Sequence, residues 1–142
     1  MTFQIIFKVE GNPVGKGRPK FARRGKYVST YSPAKTREYE DLIKEASKKA
    51  MGSSPPLETP VSVYLYISMP IPASYSKKRR EACLSNTERP MKKPDTDNIV
   101  KAFLDGMNTV VYVDDSQVCS LHATKVYGSV GMVEVLVKED LP

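Results

Sequence analysis

The segment from Val61 to Met69 alternates apolar residues with serine and tyrosine at a strict period of two. Successive side chains of a β-strand point to opposite faces of a sheet, so this alternation predicts a strand. Pro70 and Pro72 follow and close the segment, because proline cannot donate to a strand ladder. This is the clearest strand in the sequence, and any fold of the chain has to contain a β-sheet.

The rest of the chain mixes strands with helices. Phe3 to Val9 is short, apolar and rich in strand-forming residues, which predicts another strand. Ser32-Pro33 has the pattern of a helix N-terminus, and apolar residues then recur at helical spacing to about Met51. The remaining predicted elements are a basic helix from Lys77 to about Leu84 opened by Ser76, a helix capped by Asp97 or Asn98 and running to about Met107, a β-branched strand from Thr109 to Val113, and a hairpin of Val118–Tyr127 and Val130–Val137 around Gly128-Ser129.

No internal repeat and no domain boundary interrupts residues 1–142. Strands and helices that mix in this way, with a hairpin among them, predict an α+β fold. We expect a single compact domain in which helices flank a mixed β-sheet.

The positive charge of the chain is unevenly distributed. The formal net charge is +6, and between Lys8 and Lys26 seven basic residues stand against one acid, Glu10. Such a balance favours an anionic partner and says nothing about the fold. The stretch from Gly15 to Lys26 lacks periodicity and contains helix-breaking glycines, so we expect a loop. Its cations are predicted to bind DNA phosphates, with plain solvated charge as the alternative: Lys16, Arg18, Lys20, Arg23, Arg24 and Lys26.

A second basic stretch lies in the middle of the chain. Asn86 to Pro94 is predicted to be an exposed connector, and its Lys92 and Lys93 join the candidate DNA-binding residues. Contact between DNA and the run Lys77–Arg80 stays open, because a charge run on a helix is usually a solvated face.

Several classes of protein are excluded by what the chain lacks. Cys83 and Cys119 are too few for a disulfide framework and predict reduced thiols. No apolar run approaches the ~18 residues of a membrane span, and residues 1–5 do not resemble a signal peptide. We therefore expect a soluble, cytoplasmic protein without a membrane partner.

Four carboxylates lie close together in sequence, at Asp95, Asp97, Asp114 and Asp115. Two carboxylates about 5 Å apart repel by roughly 3 kcal/mol at an effective dielectric of about 20, so a converging group binds a cation or raises its pKa values. Oxygen ligands suit Mg²⁺ or Mn²⁺, which would polarise a phosphoryl oxygen and lower the pKa of a bound water. Lys101 follows Asp97 by one helical turn, where it would orient that water or stabilise charge on the phosphate.

The same residues also have a structural interpretation. Asp-x-Asp is common in helix caps and turns, and an Asp pair after a strand can be only a turn. An EF-hand is excluded because its glycine and its final glutamate are missing, and zinc is disfavoured for want of Cys and His ligands. The single His122 falls within a predicted strand and is interpreted as a packed or edge residue.

The acidic residues belong to a longer pattern that resembles a known family. Pro94-Asp95-Thr96-Asp97-Asn98-Ile99-Val100-Lys101-Ala102 leads through Leu104-Asp105-Gly106-Met107-Asn108 to Val113-Asp114-Asp115-Ser116-Gln117-Val118. Together with the opening Pro13-Val14-Gly15-Lys16-Gly17-Arg18-Pro19-Lys20 and Tyr31-Ser32-Pro33, this resembles the RusA family of Holliday junction resolvases of bacteria, phages and prophages. The likeness extends from about Phe3 to Val137.

The resemblance implies a metal-dependent, structure-selective endodeoxyribonuclease that resolves four-way junctions by paired symmetric nicks in DNA recombination and repair. It implies Mg²⁺, with Mn²⁺ as a substitute, no small-molecule cofactor, branched DNA as substrate and a homodimer. The family's essential aspartates fall on Asp95, Asp97 and Asp115, with Asp114 beside them, and its catalytic lysine falls on Lys101. Asp105 also matches a family position and is interpreted as a structural charge.

Two other functions remain as alternatives. A non-catalytic protein that binds branched DNA would use the aspartates only to fix structure. A glycosyltransferase that holds a nucleotide sugar through Asp-x-Asp would leave the basic loop unexplained.

Overall fold

A four-stranded mixed sheet organises the structure, a computed structural model that describes residues 2–17, 20–24, 27–31 and 34–142, with side chains for 2–17 and 34–142. The strands are β1 (Gln4–Glu10), β4 (Val61–Pro70), β5 (Val118–Gly128) and β6 (Met132–Glu139), in the order β1-β6-β4-β5. β6 is antiparallel to both of its neighbours, whereas β4 and β5 are parallel. The predicted strands at Phe3–Val9 and Val61–Met69 are confirmed, as is the mixed sheet.

β5 and β6 do not form the predicted hairpin, because β4 lies between them. The three residues 129–131 step over the end of β4, where the Ser68 hydroxyl donates to the Val130 carbonyl over 3.0 Å. Gly128 makes this crossing possible: a Cβ there would lie 2.0 Å from Ser68 Oγ. The turn residues were read correctly, but they connect strands that are not neighbours.

Residues 20–24 form a strand within the segment Gly15–Lys26 that was predicted to be a loop, and they pair with residues 27–31 in a second, two-stranded antiparallel sheet. Its strands are β2 (Lys20–Arg24) and β3 (Tyr27–Tyr31). A two-stranded ribbon pairs through its backbone, so it does not need the alternating apolar face whose absence suggested a loop.

Two helices cover one face of the four-stranded sheet. α1 (Ala34–Met51) and α3 (Thr96–Met107) contact each other, and Tyr39 packs edge-on against Phe103 with ring centroids 5.7 Å apart. Their buried residues join those of the inner sheet face in a single cluster, whose most enclosed members include Ile43, Ile67, Ile99, Phe103, Met107, Val133 and Val135. The predicted α+β architecture, a compact domain with helices against a mixed sheet, is confirmed.

The third helix, α2 (Lys77–Leu84), begins and ends where the sequence predicts. Ser76 is its N-cap and accepts a hydrogen bond from the Arg79 backbone N–H over 3.2 Å. None of the helices in the described ranges combines the length and apolar character needed to cross a bilayer.

The predicted strand at Thr109–Val113 is wrong. The Val110 and Val111 N–H groups both donate to the Met107 carbonyl, and only Tyr112 makes isolated bridges, to Leu57 and Asn108. Val111 and Tyr112 are fully buried. The apolar, β-branched character of this segment therefore reflects its burial in a turn that packs into the core.

Candidate active site

Asp95 occupies the N-cap position of α3, two residues before the first of the two caps that the sequence suggested. Pro94 disfavours helical backbone at Lys93, so α3 does not extend back into the connector, and it begins at Thr96. The Asp95 carboxylate makes no capping bond and instead accepts a 2.8 Å hydrogen bond from the ammonium of Lys93. Asp97 lies exposed in the first turn, where the unpaired N–H groups of the helix favour negative charge.

Lys101 continues the exposed stripe of α3 that begins at Asp97, and Asp105 follows it one turn later at a half-buried position. The Lys101 side chain is 63% exposed, and its ammonium lies 3.9 Å from Asp105 Oδ2, one turn further along the helix. Asp105 also accepts a 2.7 Å hydrogen bond from Lys16 Nζ. Asp105 therefore forms ion pairs within the protein, which agrees with its interpretation as a structural charge. The Lys101 ammonium, by contrast, remains accessible to a ligand.

Asp114 and Asp115 lie at a 3₁₀ turn, Asp115–Gln117, that leads into β5. Asp114 caps this turn, and its carboxylate accepts a 3.0 Å hydrogen bond from the Ser116 N–H. Hydrogen bonds from the hydroxyl and the backbone N–H of Ser116 lower the pKa of Asp114 below its usual value of 3.8. Both carboxylates remain on the surface, Asp114 exposed and Asp115 half-buried.

Gln117 fixes this turn against the rest of the protein; it belongs to the motif that carries the family resemblance, although no role was predicted for it. Its side-chain NH₂ donates to the carbonyls of Leu57 and Thr59 over 2.8 and 2.9 Å, and its side-chain oxygen accepts from the Asp114 N–H over 2.9 Å. The signal was present in the sequence, because Asp114 followed by Gln117 three residues later is the capping-box pattern.

Tyr112 connects the second half of α3 with the segment that leads into the 3₁₀ turn. Its buried hydroxyl donates to the Leu104 carbonyl over 2.8 Å, and α3 contacts the 3₁₀ turn directly. Burial raises the pKa of Tyr112, and the negative charges of Asp115, Asp105 and Asp114 raise it further. Of the acidic residues of α3, it is therefore Asp105 that lies in the same region as the two aspartates of the turn.

The carboxylates are nevertheless not assembled into a ready-made metal site. Among the residues that the structure describes, no three Asp, Glu, His or Cys side chains are close enough to hold a metal ion together. The expected convergence of all four aspartates is therefore not seen: Asp95 is turned to Lys93, and Asp114 is turned to Ser116. The all-oxygen donor set still fits Mg²⁺, which typically takes one or two carboxylates together with water and substrate phosphates.

Residues Val14 to Gly17 act as a brace for the start of α3. A Cβ on Gly15 would lie 3.0 Å from the Cβ atoms of both Pro94 and Asn98, which flank Asp95 and Asp97. The Lys16 backbone N–H donates to the Asn98 carbonyl over 2.9 Å. A side chain at Gly15 would crowd both residues, so glycine favours this close approach to the acidic motif.

Lys16, predicted to bind DNA, is instead engaged inside the protein. Its ammonium lies 2.8 Å from Glu40 of α1 and 2.7 Å from Asp105 of α3, and its side chain is only 20% exposed. Burial alone would lower the pKa of Lys16, but the hydrogen bonds and charges of Asp105 and Glu40 outweigh it and raise this pKa. The structure therefore places Lys16 as a link between helices.

The other predicted DNA-binding residues fall into two groups. Arg18 and Lys26 lie outside the described residues, and Lys20, Arg23 and Arg24 lie on β2, whose side chains are not described. Lys92 and Lys93 are exposed beside the acidic motif; the Lys93 side chain is 83% exposed where it pairs with Asp95. A cationic surface thus adjoins Asp95.

Lys125 of β5 anchors this connector, and nothing in the sequence pointed to it. Its ammonium donates to the carbonyls of Lys92 and Pro94, each over 3.0 Å. The side chain of Arg89 in turn donates to the Lys125 carbonyl. These bonds fix the backbone that leads into Asp95. His122 lies exposed on the same edge strand, which agrees with its interpretation as an edge residue.

Comparison with known proteins places this arrangement in a family. The chain is 37% identical over 138 residues to the uncharacterized protein YqaN of Bacillus subtilis (strain 168), a match that covers 95% of this chain and 96% of that protein. The family description Endodeoxyribonuclease RusA matches residues 10–138, a range that contains the whole acidic motif and its supports. The chain therefore belongs to the RusA endodeoxyribonuclease family.

Proposed function

We propose that this protein is a Mg²⁺-dependent endodeoxyribonuclease that resolves four-way DNA junctions by paired, symmetric nicks. The observation that carries the proposal is the contact between α3, which carries Asp97 and Lys101 on its exposed side, and the 3₁₀ turn of Asp114 and Asp115, together with exposed cations of the connector beside Asp95. Branched DNA presents phosphates to the cations, and the carboxylates supply ligands for a divalent ion that screens them.

In this proposal Asp95, Asp97, Asp114 and Asp115 hold the ion, with Mn²⁺ as a substitute for Mg²⁺. A bound divalent cation supplies positive charge that polarises a phosphoryl oxygen. Lys93 pairs with Asp95 in the free protein, and its ammonium would be available to DNA phosphate if Asp95 held the cation. Lys92 and the cations of residues 18–26 position the backbone of the DNA.

Lys101 is the proposed catalytic lysine. Its ammonium is exposed and is only weakly engaged by Asp105 at 3.9 Å, so three N–H donors can turn to the scissile phosphate or to the attacking water. Charge that develops on the phosphate in the transition state is then stabilised by a group already in place.

The wider biology follows from the substrate. A symmetric junction requires two equivalent cuts, and a two-fold homodimer offers two equivalent sites. We therefore propose a cytoplasmic homodimer that acts in DNA recombination and repair, of the type carried by phages and prophages, without a small-molecule cofactor.

The decisive experiment compares labelled four-way junctions, forks and plain duplex, with and without Mg²⁺, for the wild type and two variants. Asp97→Asn should abolish nicking of the junction while junction binding stays equal or becomes tighter, because a negative charge near phosphate is removed. Asp41→Asn, the same change at an exposed position of α1, should cleave like the wild type. Nicking retained by Asp97→Asn would contradict the role assigned to Asp97.

The separation of the carboxylates also favours a second candidate, a non-catalytic protein that binds branched DNA. That protein would show no nicking with any divalent metal. It would also show no change in Tm on addition of Mn²⁺, because an ion stabilises a protein only if it binds the folded state.

A further inference from the structure

One face of the four-stranded sheet has no covering element among the described residues. α1 and α3 pack on the face that buries Ile5, Phe7 and Val9, whereas Ile6 on the other face is 67% exposed. Tyr66 of β4 is 52% exposed on the same outer face. Large apolar side chains are thus left in solvent on this outer face, where a monomer rarely leaves them together.

The strand register arranges this outer face in rows that cross all four strands. Ile6 lies opposite Leu136, Leu136 opposite Tyr64, and Tyr64 opposite His122. These four side chains, the central row, line one shallow depression together with Tyr66, Thr124 and Glu134. The central row is apolar or aromatic from β1 through β4.

Opposite charges flank the central row. On β6, Lys138 and Glu134 lie two residues to either side of Leu136, so both project from the outer face. The Lys138 ammonium lies 5.3 Å from the Tyr64 ring centroid, and neither Lys138 nor Glu134 forms an ion pair within the described residues. Each row beside the central one therefore presents an unpaired charge of opposite sign on the same strand.

We propose that a second copy of this chain packs on this face, with a two-fold axis running across the strands along the central row. This proposal rests on the homodimer of the proposed function and assigns its surface. Rotation about that axis places each central row over the partner's central row and exchanges the two flanking rows. Lys138 then faces Glu134 of the partner subunit, and by symmetry the pair forms twice.

The composition of the face fits a second copy better than it fits DNA. Its charged residues include Lys8 and Lys138 against Glu10 and Glu134, and Lys8 is already paired with Glu10 at 3.7 Å. A DNA-binding surface needs an excess of cations, which this face does not have. An apolar centre with balanced charge at its margin is instead the pattern of a protein interface.

The size of the face is also adequate. Four strands spaced about 4.8 Å apart and about 30 Å long form a flat face with an area on the order of 500 Å² per copy. Protruding side chains add further contact area. Small specific interfaces bury roughly 600 Å² per partner, and face-to-face sheets pack about 10 Å apart. Two copies can therefore close this face with ordinary sheet packing.

Charge reversal tests the surface and the axis together. In sedimentation experiments at fixed concentration, the wild type should be a dimer, whereas Glu134→Lys alone and Lys138→Glu alone should dissociate, because each variant opposes two like charges across the interface. An equimolar mixture of the two variants should recover a dimer, since each Lys then meets a Glu of the other variant. Glu45→Lys, the same reversal on exposed α1, should stay dimeric.

The outcomes separate this inference from the proposed function. A monomeric wild type, or single variants that remain dimers, would overturn the assigned surface. Nicking by the same preparations would then still support the proposed nuclease activity. Recovery on mixing also shows that the two variants are folded. Dissociated variants should nick one strand of a junction but lose the coordination of the two nicks, whereas a dimer without any nicking would overturn the proposed function alone.

Discussion

At the scale of single residues, Lys16 links three parts of the protein with one ammonium group. It joins the N-terminal brace to Glu40 of α1 and to Asp105 of α3. Asp105 is in turn within 3.9 Å of Lys101. Because Lys16 is the closer partner of Asp105, at 2.7 Å against 3.9 Å for Lys101, the Lys101 ammonium is only loosely held and remains 63% exposed as a side chain.

Replacement of Lys16 by methionine tests this link. Lys16→Met keeps the length of the side chain but leaves two partly buried carboxylates without their cation, so the free energy of unfolding should fall by about 1–3 kcal/mol. Lys101 should pair more closely with Asp105, and the nicking rate should fall more than the junction affinity. Urea unfolding and single-turnover nicking measure the two effects, with exposed Lys48→Met as the control. Equal behaviour of the two variants would refute the link.

A second residue-scale prediction concerns the pH dependence of Asp114. The hydrogen bonds from Ser116 lower the pKa of Asp114, so its contribution to stability is complete above about pH 4 and is lost as the pH falls through the depressed folded-state value. An NMR titration of the carboxyl carbon should give a midpoint below 3.8 in the wild type and a higher one in Ser116→Ala, which retains only the backbone bond. Identical midpoints would show that the hydroxyl bond does not form.

At the scale of elements, the proposed active site belongs entirely to the crossover between β4 and β5. Parallel neighbouring strands require a long connection, and here residues 71–117 supply α2, α3 and the 3₁₀ turn. Gln117 and Lys125 fasten the two ends of the functional segment, one at the turn and one at the connector before Asp95. These hydrogen bonds hold the segment that carries the acidic residues in a fixed position relative to the sheet.

Replacement of Gln117 should show whether the position of the 3₁₀ turn affects metal-dependent nicking without affecting junction binding. Gln117→Leu deletes two donated hydrogen bonds to the carbonyls of Leu57 and Thr59, at an expected cost of about 1–3 kcal/mol in the free energy of unfolding. The freed turn should raise the Mn²⁺ concentration needed for half-maximal nicking several-fold, with little change in junction affinity. Glu45→Leu, at an exposed site on α1, serves as the stability control. An unchanged metal requirement would limit Gln117 to a role in folding.

At the scale of the whole molecule, positive charge and acidic chemistry occupy different parts of one small chain. The formal net charge of +6 favours a polyanion, while the carboxylates of the crossover need a cation before phosphate can approach. This division predicts that binding is dominated by many phosphate contacts and cleavage by few residues.

The salt dependence of junction binding measures those phosphate contacts. The logarithm of the association constant should fall linearly with the logarithm of salt concentration, by about 0.9 per phosphate neutralised. The triple change Lys20→Ala, Arg23→Ala and Arg24→Ala should reduce the slope by about 2–3, whereas Lys48→Ala with Lys49→Ala on α1 should leave it unchanged. A slope that the triple change does not alter would remove β2 from the DNA-binding surface.

The contrast between expectation and structure follows from the range of each interaction. β1, β4 and α2 were predicted nearly to the residue, because alternation, caps and proline act within a few positions. The predicted hairpin of β5 and β6 is wrong because β4 lies between these strands. Which strands are neighbours in a sheet cannot be predicted from the turn that connects them. The aspartates were recognisable as a pattern, but the inward pairing of Lys16 and the support from Lys125 depend on contacts distant in sequence.

The position of β6 has a consequence for how the protein comes into being. This strand stands late in the sequence, yet it lies between β1 and β4 and pairs with both. During synthesis β1 is therefore made more than a hundred residues before β6, and until β6 follows it has no neighbouring strand in the four-stranded sheet. A premature stop codon before Met132 would remove an inner strand of the sheet, between β1 and β4, and not an edge strand. Even late truncations should therefore yield aggregated protein instead of a less active enzyme.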